Sequence, residues 1–204
     1  MPPFTVLHVC MGNICRSPMA ERLLALAVRE RLTRRAQDPA QADGLVHSHS
    51  AGTGGWHAGE EMNPPAARQV TGRGGDVEGF AARKLRSDHI DAADLVLTAT
   101  ADQQEYVVAL RPDAAARTFV LGEFGRLLAA VDAAALPPGD DATPEAVYAR
   151  GVALVAAAHD ARVGASTLPT DDLDDPWGRG DQCFSRVADE IEETVHPLAG
   201  ALLP

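Results

Sequence analysis

The sequence predicts an α/β fold: three layers, doubly wound, with a central four-stranded parallel sheet and helices on both faces. Short β-prone runs alternate with stretches of helical periodicity, an order that gives parallel pairing rather than hairpins. The first run and the stretch behind it form a strand–loop–helix unit. Leu, Val and Ala dominate the apolar residues and only 4% are aromatic, so helices and short strands must build the core. No internal repeat is visible, and 204 residues fit a single domain, 1–204.

Phe4-Thr5-Val6-Leu7-His8-Val9 is a continuous β-prone run of the kind buried in a parallel sheet. Ser17-Pro18 reads as a helix start, with Ser17 as N-cap and Pro18 at the first helical position. Ala20, Leu23, Leu24, Ala27 and Val28 then recur at helical spacing. Residues 37–44 are polar and loop-like. Residues 45–50 form a second strand, ending at Ala51-Gly52-Thr53-Gly54-Gly55, and 64–70 a short helix broken by Gly72, Gly74 and Gly75. Leu95-Val96-Leu97 centre a third strand, and 118–121 make a fourth with helix behind it through Leu127 and Val131. Residues 136–143 are turn-rich, 145–161 an Ala-rich helix, and 164–181 a long acidic loop. The last helix places Phe184, Val187, Ile191 and Val195 on one face.

The formal net charge of −11 argues against nucleic acid or an anionic membrane as partner. The first apolar run is too short to span a bilayer and no basic segment precedes it, so no membrane insertion is expected. Three cysteines, an odd number, read as reduced thiols of a cytoplasmic protein.

The chemistry is expected in Cys10-Met11-Gly12-Asn13-Ile14-Cys15-Arg16-Ser17, between a strand and a helix N-terminus. Five residues separate Cys10 from Arg16, few enough for the backbone N–H groups to curl around one anion. Gly12 and Asn13 tolerate the positive φ such a curl needs. Arg16 adds a planar fork for two phosphate oxygens. Helix N-termini and arginines favour thiolates in general, so Cys10 is the expected nucleophile, with the Ser17 hydroxyl on its sulfur. A proton donor is also needed. Asp175 is the candidate, held extended by Pro176 and set against Trp177. Asp171, Asp172, Asp174 and Asp181 surround it, so an ordinary solvated acidic loop stays open at this point. Trp56 and Trp177 suggest a slot for a flat ring, with His57 at its rim.

The segment Val9-Cys10-Met11-Gly12-Asn13-Ile14-Cys15-Arg16-Ser17-Pro18-Met19-Ala20-Glu21 resembles the signature of the low-molecular-weight protein tyrosine phosphatases. Ser50-Ala51-Gly52-Thr53, Trp56-His57 and Asp175-Pro176-Trp177 follow in the order that family has them, over about residues 4–197. The resemblance implies hydrolysis of phosphotyrosine in a protein substrate through a phosphocysteine, with no metal and no cofactor. It makes Cys10 the nucleophile, Arg16 the phosphate ligand and Asp175 the general acid and base. Asn13, Ser17 and Ser50 form the network that shapes the loop, and Trp56, His57 and Trp177 line the cleft. Two departures stand out: Phe80 precedes Ala81-Ala82-Arg83 where the family often has histidine, and 136–173 is longer than usual.

Two other functions use the same residues. An arsenate reductase of this fold with an external small thiol needs only Cys10; the type with resolving cysteines in mid-chain is disfavoured, because none lies between 16 and 182. A non-catalytic phosphopeptide-binding module would have no use for the intact trio Cys10, Arg16 and Asp175. A metal site on His8, Cys10 and Cys15 would crowd its ligands onto one turn. Cys15 lies close enough in sequence to form a reversible disulfide with Cys10.

Overall fold

The computed structural model describes residues 1–204. Four parallel strands, β1 (Phe4–Cys10), β2 (Val46–Gly52), β3 (Leu95–Thr98) and β4 (Thr118–Val120), form one sheet in the order β2-β1-β3-β4. Eight helices surround it: α1 (Arg16–Arg34), α2 (Ala42–Leu45), α3 (Pro64–Gly72), α4 (Ser87–Asp91), α5 (Ala101–Leu110), α6 (Leu121–Leu128), α7 (Pro144–Arg162) and α8 (Asp181–Leu202).

The pleat of β1 explains the layers. Phe4, Val6 and Cys10 point into a core of 41 residues shared with α1, α6, α7 and α8. Leu7 and Val9 point the opposite way, into a core of nine that includes Ile90 of α4 and Val107 of α5. Both faces are covered, as the continuous β-prone run led one to expect. The chain winds from β1 to β2 on one side and then crosses to β3 on the other. The strand order therefore reverses at β1, and ligands of open α/β sheets bind at the carboxyl end of such a switch point. The loop after Cys10 occupies that place.

Several local expectations are corrected. Helix α1 begins at Arg16, with Cys15 at the capping position and no side-chain cap, so Ser17 is not the N-cap and Pro18 is not the first helical residue. Residues 37–44 are not all loop: Pro39–Gln41 is a 3-10 turn with the Asp38 carboxylate accepting from Ala40 N–H, and α2 follows. Helices α4 and α5 had no apolar stripe to announce them; α5 buries only Gln103 and Val107.

The long segment 136–173 contains α7. Thr143 caps it by accepting from Ala146 N–H at 3.2 Å, and Pro144 opens it. It lies across the ends where strands begin. Gly151 fits there because a Cβ would fall 2.5 Å from the Phe4 ring. Tyr148 donates to Asp94 just before β3 at 3.1 Å, and Arg162 donates to the Thr118 carbonyl of β4 at 2.7 Å. Helix α7 thus supports the end of the sheet opposite the Cys10 loop. No helix is long and apolar enough to cross a membrane.

Candidate active site

The Cys10 loop is shaped by where its carbonyls go. Cys10 O and Met11 O accept from Thr53 and Gly54 N–H at 2.9 Å each, and Ile14 O accepts from Asn63 N–H at 2.9 Å. With the carbonyls bound outward, the amides are left on the inside. Asn13 sits at φ 56, the left-handed conformation expected of it, whereas Gly12 does not need a positive φ. Gly12 matters by contact instead, since a Cβ there would lie 3.1 Å from the His57 ring.

Cys10 Sγ accepts from Asn13 N–H at 3.3 Å and lies 2.9 Å from Ser17 Oγ. The surrounding bonds leave the Ser17 proton available for that second contact. Asn13 Nδ2 donates to Ser17 Oγ and to Ser50 Oγ, both at 2.9 Å. Ser50 donates onward to Glu21 Oε2 at 2.5 Å. Ser17, already an acceptor, therefore has its proton for the sulfur. This is why Ser17 does not cap the helix. The first amides of α1 face the loop, and the hydroxyl has a better partner in Cys10.

Three supporting groups escaped sequence reasoning. Glu21 is buried, which pushes its carboxyl pKa up against the opposing Ser50 bond and Arg22. Arg83 N–H donates to Asn13 Oδ1 at 2.9 Å, closing the network although Phe80 replaces histidine nearby. The Leu173 carbonyl accepts from Arg16 Nη1 at 3.1 Å. A carboxylate one helical turn after Ser17 was the available signal for Glu21; the two backbone groups had none.

Asp175 reaches the loop. Its Oδ2 lies 3.6 Å from Arg16 Nη2, while Oδ1 accepts from Trp177 N–H at 3.2 Å. The neighbouring aspartates are occupied elsewhere. Asp171 takes both Arg126 nitrogens at 2.7–2.8 Å, Asp172 accepts from Ala101 N–H, and Asp174 pairs with Arg179 and Arg186. Burial pulls the Asp171 carboxyl up, but Arg126 and the Leu168 amide outweigh it and leave the pKa lowered. These three hold the loop down and only Asp175 faces the pocket. Its side chain is 53% exposed, so Trp177 does not shield it from solvent in the open pocket.

Cys10, Met11, Gly12, Ile14, Cys15, Arg16, Trp56, His57, Asp175 and Trp177 line one pocket of about 210 Å3. Trp56 is a wall rather than a core residue, 70% exposed. His57 donates to Glu60 at 2.8 Å and its ring lies 5.7 Å from that of Trp177. Burial, with Cys10 and Asp175 nearby, pushes the Cys15 thiol up to about 12 against the pull of Arg16. No group of His, Cys, Asp or Glu is placed to hold a metal ion.

Residues 5–133 match the family model of the low molecular weight phosphotyrosine protein phosphatases. The chain belongs to that family. The low molecular weight protein-tyrosine-phosphatase of Streptomyces coelicolor is 35% identical over 109 residues, covering 53% of this chain and 60% of that protein. The Etp phosphatase of Escherichia coli is 32% identical over 120 residues, 59% of this chain and 70% of its own. The chain spans about 60% of the length of the Streptomyces relative and 57% of the Bacillus subtilis one. Solved structures extend the likeness in fold. The tyrosine phosphatase of Entamoeba histolytica superimposes with a TM-score of 0.62 at 20% identity, covering 95% of this chain and 93% of its own. The YwlE arginine phosphatase of Geobacillus stearothermophilus gives 0.60 at 24%, covering 97% and 92%. The family match ends at residue 133, before Asp175, so the loop that carries Asp175 rests on geometry.

Proposed function

We propose that this chain is a protein-tyrosine-phosphatase acting through a phosphocysteine. The observation that carries the proposal is one pocket holding the Cys10 sulfur with two donors on it, Arg16 beneath and Asp175 opposite. The substrate phosphate lies on the inward amides and the Arg16 fork, taking the place of Asp175 beside the guanidinium. Cys10 Sγ attacks phosphorus as the phenolic oxygen leaves, and Asp175 gives that oxygen its proton. Asp175, now a carboxylate, takes a proton from water as it attacks the phosphocysteine. Phosphate departs, and the sulfur anion returns to Ser17 and Asn13.

The tryptophan walls favour an aryl ester over phosphoserine, and an acid placed for a leaving phenoxide favours hydrolysis over arsenate reduction. The substrate is a phosphotyrosine-containing protein, and the free thiols Cys10, Cys15 and Cys183 suit the cytoplasm. Residues 1–204 form one domain in this proposal, with 136–173 as an insertion. The test is turnover of phosphotyrosine, phosphoserine, phosphoarginine and arsenate, side by side. Wild type should prefer phosphotyrosine, Cys10→Ser should bind phosphate without turnover, and Arg16→Lys should lose both. Preference for phosphoarginine or arsenate would overturn the assignment.

A further inference from the structure

The chain carries a net charge of −11, and nearly all its cations are matched. Every arginine side chain but one meets a carboxylate or a main-chain carbonyl. The exception is Arg83, and next to it stands Lys84, the only lysine in the sequence. Both are exposed, and neither side chain has a hydrogen-bond or ion-pair partner. With 29 Asp and Glu in the chain, two adjacent unmatched cations reverse the field locally.

The strand register sets Lys84 beside the site. Cys10 pairs with Gly52, and Gly52 pairs in parallel with Lys84. Gly52 N–H donates to the Arg83 carbonyl at 2.9 Å, and Leu85 N–H donates to the Gly52 carbonyl at 2.7 Å. Paired residues share a face of a sheet, so Lys84 points to the side on which Cys10 lies. Leu85 points the other way, into the core of nine residues. Two strand spacings put Lys84 about 10 Å from Cys10, and Gly52 between them has no side chain. The Lys84 stem runs along the turn that carries Trp56: a Cβ on Gly55 would lie 3.2 Å from its Cδ. Lys84 is not among the residues that line the pocket, so its charge stands outside the Trp56 wall. Acids at the mouth are matched: Glu60 by His57, and Asp174 by Arg179 and Arg186.

We propose that Lys84 is a specificity-determining residue that takes the carboxylate of an acidic residue flanking the phosphotyrosine, so that the substrates are acidic phosphopeptide segments. About three residues of extended chain span 10 Å, so a near neighbour of the tyrosine reaches the ammonium. The contact is exposed and acts on encounter and binding rather than on the chemical step. It also answers the repulsion between an acidic enzyme and an acidic substrate.

The inference rests on the phosphatase function proposed above, and the test keeps the two apart. At low ionic strength, kcat and KM are measured for phosphotyrosine peptides carrying either Glu or Gln at the three positions on each side of the tyrosine. Wild type should favour the Glu peptide about two- to fivefold in kcat/KM, through KM, as an exposed ion pair allows. Lys84→Met should bring that ratio near one and Lys84→Glu should reverse it. Salt at about 0.5 M should erase the preference of wild type. Arg34→Met removes one charge at the far end of α1 and should keep the wild-type ratio. A wild-type ratio of one, a ratio unchanged in Lys84→Met, or an equal fall in Arg34→Met overturns the proposal. If wild type turns over neither peptide, the phosphatase function falls. Calorimetric binding of the same two peptides to wild type and Lys84→Met then decides Lys84: tighter binding of the Glu peptide that Lys84→Met abolishes upholds its role, and equal binding ends it.

Discussion

Two thiols five positions apart are given opposite characters by their neighbours. Cys10 receives an amide and a hydroxyl on its sulfur. Cys15 is buried and held as a thiol, its pKa pushed up to about 12. Iodoacetamide at neutral pH should therefore modify Cys10 and leave Cys15 intact, as read by peptide mass spectrometry, since only thiolates alkylate. Inorganic phosphate should protect Cys10. Modification of Cys15 at a comparable rate would show the buried thiol to be otherwise. Asp175 is the other decisive residue. Asp175→Asn should slow hydrolysis of a phenyl phosphate about 10²–10⁴-fold, the usual worth of general acid catalysis, with phosphate inhibition no weaker, since the carboxylate beside Arg16 is gone. Full activity in that variant would move the proton to another group.

At the scale of elements, the site depends on how closely β2 approaches the loop after β1. A Cβ on Gly52 would lie 2.6 Å from Met11 O and 3.0 Å from Asn13 N, both main-chain atoms that cannot step aside alone. Gly52→Ala should therefore move the loop, lower kcat/KM by at least about tenfold and depress Tm. Wild-type kinetics would mean that the loop yields freely. The acid loop makes a second case. It is tied to α6 through Asp171, to α5 through Asp172 and to the residue just after β3 by Leu173 N–H on the Ala99 carbonyl at 2.8 Å. Asp171→Asn leaves Arg126 unmatched and should cost about 1–3 kcal/mol in denaturant unfolding. It should also lower kcat more than it weakens phosphate binding, because Asp175 loses its anchor while the Cys10 loop keeps its own. Equal effects on both would argue that the two loops are one unit.

The whole molecule carries its buried histidines as an acid liability. Burial holds His8 near pKa 3 and His49 near 4, below the ordinary 6.5. The unfolded chain binds these protons first, so stability is full above about pH 6.5 and falls as the pH drops toward the folded values. The loss is on the order of several kcal/mol for the pair. Glu21 and Glu123, raised by burial, act in the opposite direction and offset part of it. Unfolding curves from pH 7 to 4 should show this decline, and His8→Phe should flatten it. An unchanged slope in that variant would assign the acid sensitivity to other groups. At this scale segment 136–173 has a place as well: α7 braces the strand ends far from the pocket, and the chain runs on from it into the loop that carries Asp175.

The sequence by itself determined whatever a local pattern encodes. The four strands follow from apolar runs, α1 and α8 from their stripes, and the Cys10–Arg16 loop from its spacing between strand and helix. Local grammar failed where a distant partner outbid it. Ser17 obeys the N-cap rule in sequence, yet Asn13 and Cys10 claim its hydroxyl. The aspartates of 171–175 are alike in sequence; they differ because Arg126, Ala101, Arg186 and Arg16 lie 45, 71, 12 and about 160 residues from the groups they meet. The unmatched nitrogen of His8 had no legible role for the same reason. Only the tertiary structure decides which donor meets which acceptor, because hydrogen bonds are short and directional while sequence separation says nothing about distance once a parallel sheet has brought the ends of its strands together.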